Sequence, residues 1–275
     1  MTDQPVAIIT GAASGIGKHW ALALIKDGYR LVLADINEEG FAAAFPPRIT
    51  PDHVLTCPLD VTRVESWLAL FQTALNTFGR VDYLFNVAGI ITPGYIHETD
   101  VAQIDRHLNV NAKGTMIGCK LAAELMIEQK QGHIINVSSL AGIAPVPGLS
   151  LYAASKAAVR SFSLSLANEL YDKGVFVTVI CPDLVDTPML DLQLDYPAAA
   201  LTFSGSSRPL TVRDMEKAFR QAMQDKPLEI ALPSSRGFLS KIASLFPRTN
   251  QWLRHSLTRK GTRQQKKLRQ TRRNP

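Results

Sequence analysis

The chain has 275 residues and a formal net charge of +6, and this length can bury a large core as one α/β domain. Cys57, Cys119 and Cys181 lie far apart and form no CxxC or Cys/His cluster, which argues against a disulfide framework and a metal site; Met1–Pro5 has no basic segment and no apolar run reaches membrane-spanning length, so a cytoplasmic protein is expected. The charge is unevenly divided: residues 236–275 hold twelve Lys or Arg and no acid, leaving 18 basic against 24 acidic residues in 1–235.

Val6–Thr10 is an apolar run that predicts a buried strand. It opens into Gly11-Ala12-Ala13-Ser14-Gly15-Ile16-Gly17, and a helix is expected from Lys18 to Asp27. Strand, glycine loop and helix make a phosphate cradle: Gly11, Gly15 and Gly17 allow close approach of backbone. The N–H groups around Ser14 and Ile16 and the helix dipole favour a pyrophosphate. Arg30–Ala34 is the second strand and ends at Asp35, whose carboxylate can accept from both adenosine ribose hydroxyls and would repel a 2′-phosphate, favouring NAD over NADP.

A short strand at Val54–Cys57 leads to Asp60 and Val61, followed by an amphipathic helix from Val64 to Phe78 and a strand at Asp82–Phe85. That strand closes on Asn86-Val87-Ala88-Gly89, small enough for the chain to pass tightly beside a cofactor. One long helix is expected from Val101 to Gln129, a strand at His133–Val137 and another at Val175–Ile180. Strands alternating with helices predict a single Rossmann-type, doubly wound parallel sheet with helices on both faces.

The strand at His133–Val137 ends in Ser138-Ser139; thirteen residues after Ser139 comes Tyr152, and four later Lys156, on a stretch free of Gly and Pro that predicts a helix. Bringing a tyrosine from a pKa near 10 to about 7 requires ~4 kcal/mol of extra phenolate stabilisation. One unit charge about 4 Å away, at an effective dielectric near 20, supplies ~4 kcal/mol, so Lys156 alone is expected to suffice. Such a tyrosinate can exchange a proton with a carbinol oxygen while a serine hydroxyl holds that oxygen.

In combination, Thr10-Gly11-x-x-x-Gly15-x-Gly17, Asn86-Val87-Ala88-Gly89, Asn111, Ser139, Tyr152 and Lys156 resemble the short-chain dehydrogenase/reductase family, over about residues 5–190. The resemblance implies Tyr152 as general acid/base, Lys156 as its activator and as ligand of the nicotinamide ribose, Ser139 as the group that positions the substrate oxygen, and Asn111 as holder of a relay water. It further implies Asp60 and Val61 at the adenine, Asn86, Ala88 and Gly89 along the cofactor, and Pro182, Val185 and Thr187 near the carboxamide. Homodimers or homotetramers through two central helices are implied as well. Asp183 departs from the pattern, which has Gly after the proline; if that position requires φ > 0, Asp is strained there and adds a charge near the nicotinamide.

Within the expected 1–235 domain, residues 188–233 should form the substrate lid, apolar through Met189, Leu190, Leu192, Leu194, Tyr196, Leu201 and Phe203. The expected activity is therefore NAD-dependent hydride transfer to or from a lipophilic secondary alcohol or ketone, the rivals being an NADPH-dependent ketone reductase and a non-catalytic nucleotide-binding scaffold. In the 236–258 extension, Phe238, Leu239, Ile242, Leu245 and Phe246 share a helical face, and 259–275 is so basic that order is not expected. A basic amphipathic helix suits an anionic membrane surface; packing on the lid is the alternative, and no motif points to specific nucleic-acid binding.

Overall fold

The β-branched and aliphatic runs pair into one seven-stranded sheet, β1 (Val6–Thr10), β2 (Arg30–Asp35), β3 (Val54–Pro58), β4 (Tyr83–Asn86), β5 (Gly132–Val137), β6 (Val175–Pro182) and β7 (Glu229–Leu232). This computed structural model describes residues 4–45, 53–205 and 208–273. All strand pairs are parallel, in the order β3-β2-β1-β4-β5-β6-β7. Parallel neighbours need crossovers, supplied by α1 (Gly15–Lys26), α2 (Glu38–Ala44), α3 (Val64–Phe78), α4 (Ala102–His107), α5 (Gly114–Gln129), α6 (Ser150–Leu170), α7 (Pro188–Leu194) and α8 (Val212–Asp225).

Both faces of the sheet are buried, which is why its strands are continuously apolar. On one face Trp20 of α1 packs edge-on to Phe85 of β4 at 5.4 Å between ring centroids, and Phe219 of α8 meets both rings. On the other, Trp67 and Leu70 of α3 pack with Cys119 and Met126 of α5 and Leu166 of α6. Strand order reverses between β1 and β4, and the crevice beyond their carboxyl ends is where such sheets bind ligands.

Two expectations are corrected. The helix predicted from Val101 to Gln129 is interrupted by a π-helical segment, Leu108–Lys113, between α4 and α5. Within it the Asn111 carbonyl accepts from the Thr115 hydroxyl at 2.8 Å, and such wide turns often mark functional positions. The tail expected to lack order is helical: α9 (Ser234–Leu245) is followed by α10, a single helix from Pro247 to Arg273. Composition fails as a guide because α10 has a surface to dock on. The Gln265 amide donates to the carbonyls of Gln193 and Tyr196, each at 2.8 Å, Leu268 joins the cluster of Leu190, Leu194 and Phe203, Arg269 pairs with Asp195, and Arg272 pairs with Asp186 and Asp191. The acids that pair with the tail lie on the lid and just before it, so tail composition by itself does not reveal them.

Candidate active site

A cavity of ≈ 380 Å³ lies at the carboxyl ends of β1, β2 and β4, lined among others by Gly11, Ser14, Gly15, Ile16, Gly17, Asp35, Asp60, Val61, Ala88, Gly89 and Thr187. Gly11 has φ +69°, and a Cβ there would stand 2.9 Å from the Ala88 backbone; at Gly17 it would overlap the Gly11 carbonyl. The loop therefore reaches this closeness only with glycine. Ser14 caps α1 with extended backbone and no side-chain bond, so the first N–H groups of the helix are left without a side-chain cap at the cavity. The Asp35 carboxylate is held by the N–H groups of Ala13 and Asn37, both at 3.0 Å, which leaves each oxygen further acceptor capacity. An uncapped helix start, a backbone cradle and an oriented carboxylate fit an adenine dinucleotide.

Ser139, Tyr152 and Lys156 converge on a second, larger cavity of ≈ 700 Å³, and Ile16, Val87, Gly89, Thr187 and Met189 line both spaces. The Ser139 hydroxyl is near enough to the Tyr152 phenol to favour its ionised form. The Ser139 Oγ accepts from the Ala141 N–H at 3.1 Å, whereas Ser138 is buried and donates to the Lys156 carbonyl at 2.7 Å, tying β5 to α6. Lys156, 4% exposed, donates from Nζ to the Val137 carbonyl at 2.9 Å. Asn111 Oδ1 accepts from the Ile90 N–H at 2.8 Å while Nδ2 donates to the Ile90 carbonyl and to Ser155 Oγ. A Cβ at Gly89 would lie 3.2 Å from Asn111 Oδ1 and 3.3 Å from Lys156 Nζ, so these two groups flank the same gap.

The electrostatics differ from expectation. Burial pushes the Tyr152 phenol up to about 12, against the opposing effect of the Ser139 hydroxyl, and burial lowers Lys156 to about 8. Lys156 Nζ lies 5.8 Å from the centroid of the Tyr152 ring, where one charge is worth ~3 kcal/mol at an effective dielectric near 20. Burial raises the phenol with Lys156 in place, so Lys156 alone does not bring it to 7. With the protein by itself, Tyr152 is a neutral proton donor.

Asp183 is corrected too. The only described non-glycine residues with positive φ are Lys130 and Lys226, so Asp183 carries no such strain. Its N–H continues the β6–β7 ladder to the Leu232 carbonyl at 2.8 Å, Oδ1 accepts from the Leu184 N–H, and Oδ2 pairs with Arg236 Nε at 2.8 Å. The charge feared near the nicotinamide is balanced by a cation from the extension. Gly205 makes the space, since a Cβ there would overlap the Arg236 guanidinium.

Of the catalytic and cofactor-binding residues singled out in the sequence, two line neither cavity: Asn111 stands buried behind Gly89, and Asn86 is turned away. Its Nδ2 donates to Asn136 Oδ1 at 2.8 Å, and Asn136 in turn donates to Ser163 Oγ, forming a buried polar link beneath the site. Asp60 lines the smaller cavity with Oδ1 held by Thr62, and Pro182 and Val185 line the larger one. Sequence reasoning missed Arg236 and the cavity wall made by Leu239 and Ile242 of α9, Phe246 just after it, and Leu253 and Leu257 of α10. The apolar face of α9 was visible, and an acid in place of Gly at 183 is the signal that could have prompted a search for its counter-ion.

A family model described as short chain dehydrogenase matches residues 5–195. An uncharacterized oxidoreductase of Staphylococcus aureus (strain MRSA252) is 37% identical over 187 residues, covering 68% of this chain and 80% of the relative. Among solved structures, a short chain dehydrogenase/reductase from Burkholderia phymatum in complex with NAD superposes with a TM-score of 0.78 at 27% identity, covering 92% of this chain and 95% of that one. ElxO with NADP bound gives 0.74 at 25% identity, covering 83% and 97%.

Proposed function

Because the chain belongs to the short-chain dehydrogenase family of NAD(P)-dependent oxidoreductases, we propose that it interconverts a lipophilic secondary alcohol and its ketone, with NAD as the preferred cofactor. The observation that carries this reading is the junction itself: Tyr152 and Ser139 stand where an apolar cavity adjoins the cleft of the glycine loop and Asp35. When bound, the nicotinamide supplies the hydride donor or acceptor that no side chain provides. Tyr152 moves the proton at the carbinol oxygen, and Ser139 Oγ holds that oxygen. Lys156, anchored on the Val137 carbonyl, and Asn111 behind Gly89 keep a charge and a polar path on the far side of the phenol.

Support for NAD comes from Asp35 at the end of β2, next to Ile36 rather than a cation, with Ser14 rather than a cation in the loop. Support for a lipophilic substrate comes from Leu149, Leu190, Leu239, Ile242 and Phe246 on the cavity wall. The same reading includes homo-oligomers, for which Val101, Ile104 and Leu108 offer exposed apolar surface beside α5, and contact of α9 and α10 with an anionic membrane. Titration of the purified protein with NADH and NADPH, followed by nicotinamide fluorescence, tests the cofactor. NADH should bind at least about tenfold more tightly, a difference of ~1.4 kcal/mol, and preference for NADPH would reverse the assignment. Tyr152→Phe should keep NADH binding and lose about 10²–10⁴ in turnover of secondary alcohols; unchanged turnover would remove Tyr152 from the reaction.

A further inference from the structure

The larger cavity is apolar along most of its wall, yet its charges are not balanced. Its only carboxylate is Asp183, and Arg236 occupies that. Lys156 is buried at the Tyr152 end on the Val137 carbonyl. One further cation lines the cavity, Lys260 of α10, which is exposed and has no carboxylate partner among the described residues. Leu253, Leu257 and Lys260 all line the cavity at i, i+4 and i+7, so one face of α10 presents two leucines and then an ammonium.

That ammonium stands on a docked helix. Gly261 packs so closely on the Ala200 carbonyl that a Cβ would overlap it, the Gln265 amide is bound to two lid carbonyls, and Arg269 pairs with Asp195. A charge beside low-dielectric walls attracts its counter-ion more strongly than one in open water. A phosphate dianion would call for an arginine fork or several donors; a single lysine suits a monoanion.

We propose that the cavity takes an amphiphilic substrate whose apolar skeleton carries a carboxylate remote from the reacting carbon, and that Lys260 binds this carboxylate. The assignment of the reacting end rests on the oxidoreductase reading above; the assignment of the anionic end does not. The test is binding, measured by calorimetry on the full-length protein saturated with NADH, using decanoate and its neutral counterpart decanamide. Decanoate should bind about tenfold more tightly. Lys260→Gln should bring the two to parity within about twofold, Lys260→Arg should keep the preference, and Lys266→Gln, on the same helix but away from the cavity, should also keep it. Circular dichroism melting confirms that each variant is folded. Equal affinities in the wild type, no binding of either probe, a preference that survives Lys260→Gln, or an equal loss in Lys266→Gln would each overturn the proposal. Because no turnover is read, a failure of alcohol oxidation would sink the reaction and leave this result standing.

Discussion

Burial governs the ionisation of Tyr152 and Lys156, and it writes a pH dependence into the stability of the protein. Lys156 titrates at about 8 when folded against 10.5 when unfolded, so between those values the unfolded chain binds the extra proton and stability rises with pH. Cys119 and Cys181, pushed up to about 12 from 9.0, and Tyr152, pushed to about 12 from 10.0, act oppositely: there the unfolded chain gives up protons that the folded one keeps. From pH 8 to 9 the Lys156 gain of about 1 kcal/mol is largely offset by the two thiols, so stability should stay nearly level there and fall beyond. Lys156→Met should remove the offset, so that stability falls from pH 8 onward. Melting temperature against pH checks this, and a wild-type profile falling steadily from pH 8 would show that Lys156 is not desolvated as described. Tyr152, Lys156 and Ser139 were legible from spacing, because an i,i+4 pair on a helix has one geometry. Their protonation was not, because it depends on how much protein surrounds them.

Among the elements, the α9 extension is joined to the end of β6 by Asp183 and Arg236. Asp183 is 9% exposed at its side chain, so removing its partner strands a nearly buried carboxylate beside the cofactor site. Arg236→Ala should lower stability by about 3 kcal/mol and weaken NADH binding. Asp183→Gly combined with Arg236→Ala should recover much of both losses. A double-mutant cycle in urea unfolding measures the coupling, and additive single effects would mean that the pair is not a unit. The sequence shows Asp183 as a departure from the family pattern but not its counter-ion 53 residues later, since pairing across that distance is made by packing. The π-helical turn at Asn111 is similar: no proline marks it in the sequence, and the bond from the Thr115 hydroxyl to the Asn111 carbonyl is a choice made within the folded helix.

For the whole molecule, the extension has two sides. One faces the lid and the cavity; the other exposes Leu245 at 73% and Trp252 at 83%, with Arg248, Arg263, Lys266 and Lys267 lacking carboxylate partners among the described residues. Apolar and cationic groups exposed together fit an anionic lipid surface. Flotation with phosphatidylserine-containing vesicles should carry the wild type upward and leave behind the variant with Leu245→Glu and Trp252→Glu. Equal flotation of the two would end the membrane reading. No helix of the described residues is long and apolar enough to cross a bilayer.

The fold was determined by the sequence alone, because continuous apolar runs alternating with helical periods leave few arrangements other than a parallel sheet covered on both sides. So was the cluster of Gly11, Gly15, Gly17, Asp35, Ser139, Tyr152 and Lys156, since strand ends in such a sheet lie on one edge. Tertiary structure decided what surrounds them. Asn86 turned inward to Asn136, Arg236 reached Asp183, and the basic tail became α10 because lid acids and carbonyls accept its side chains. These are contacts between segments far apart in the chain, where neither composition nor periodicity specifies the partner.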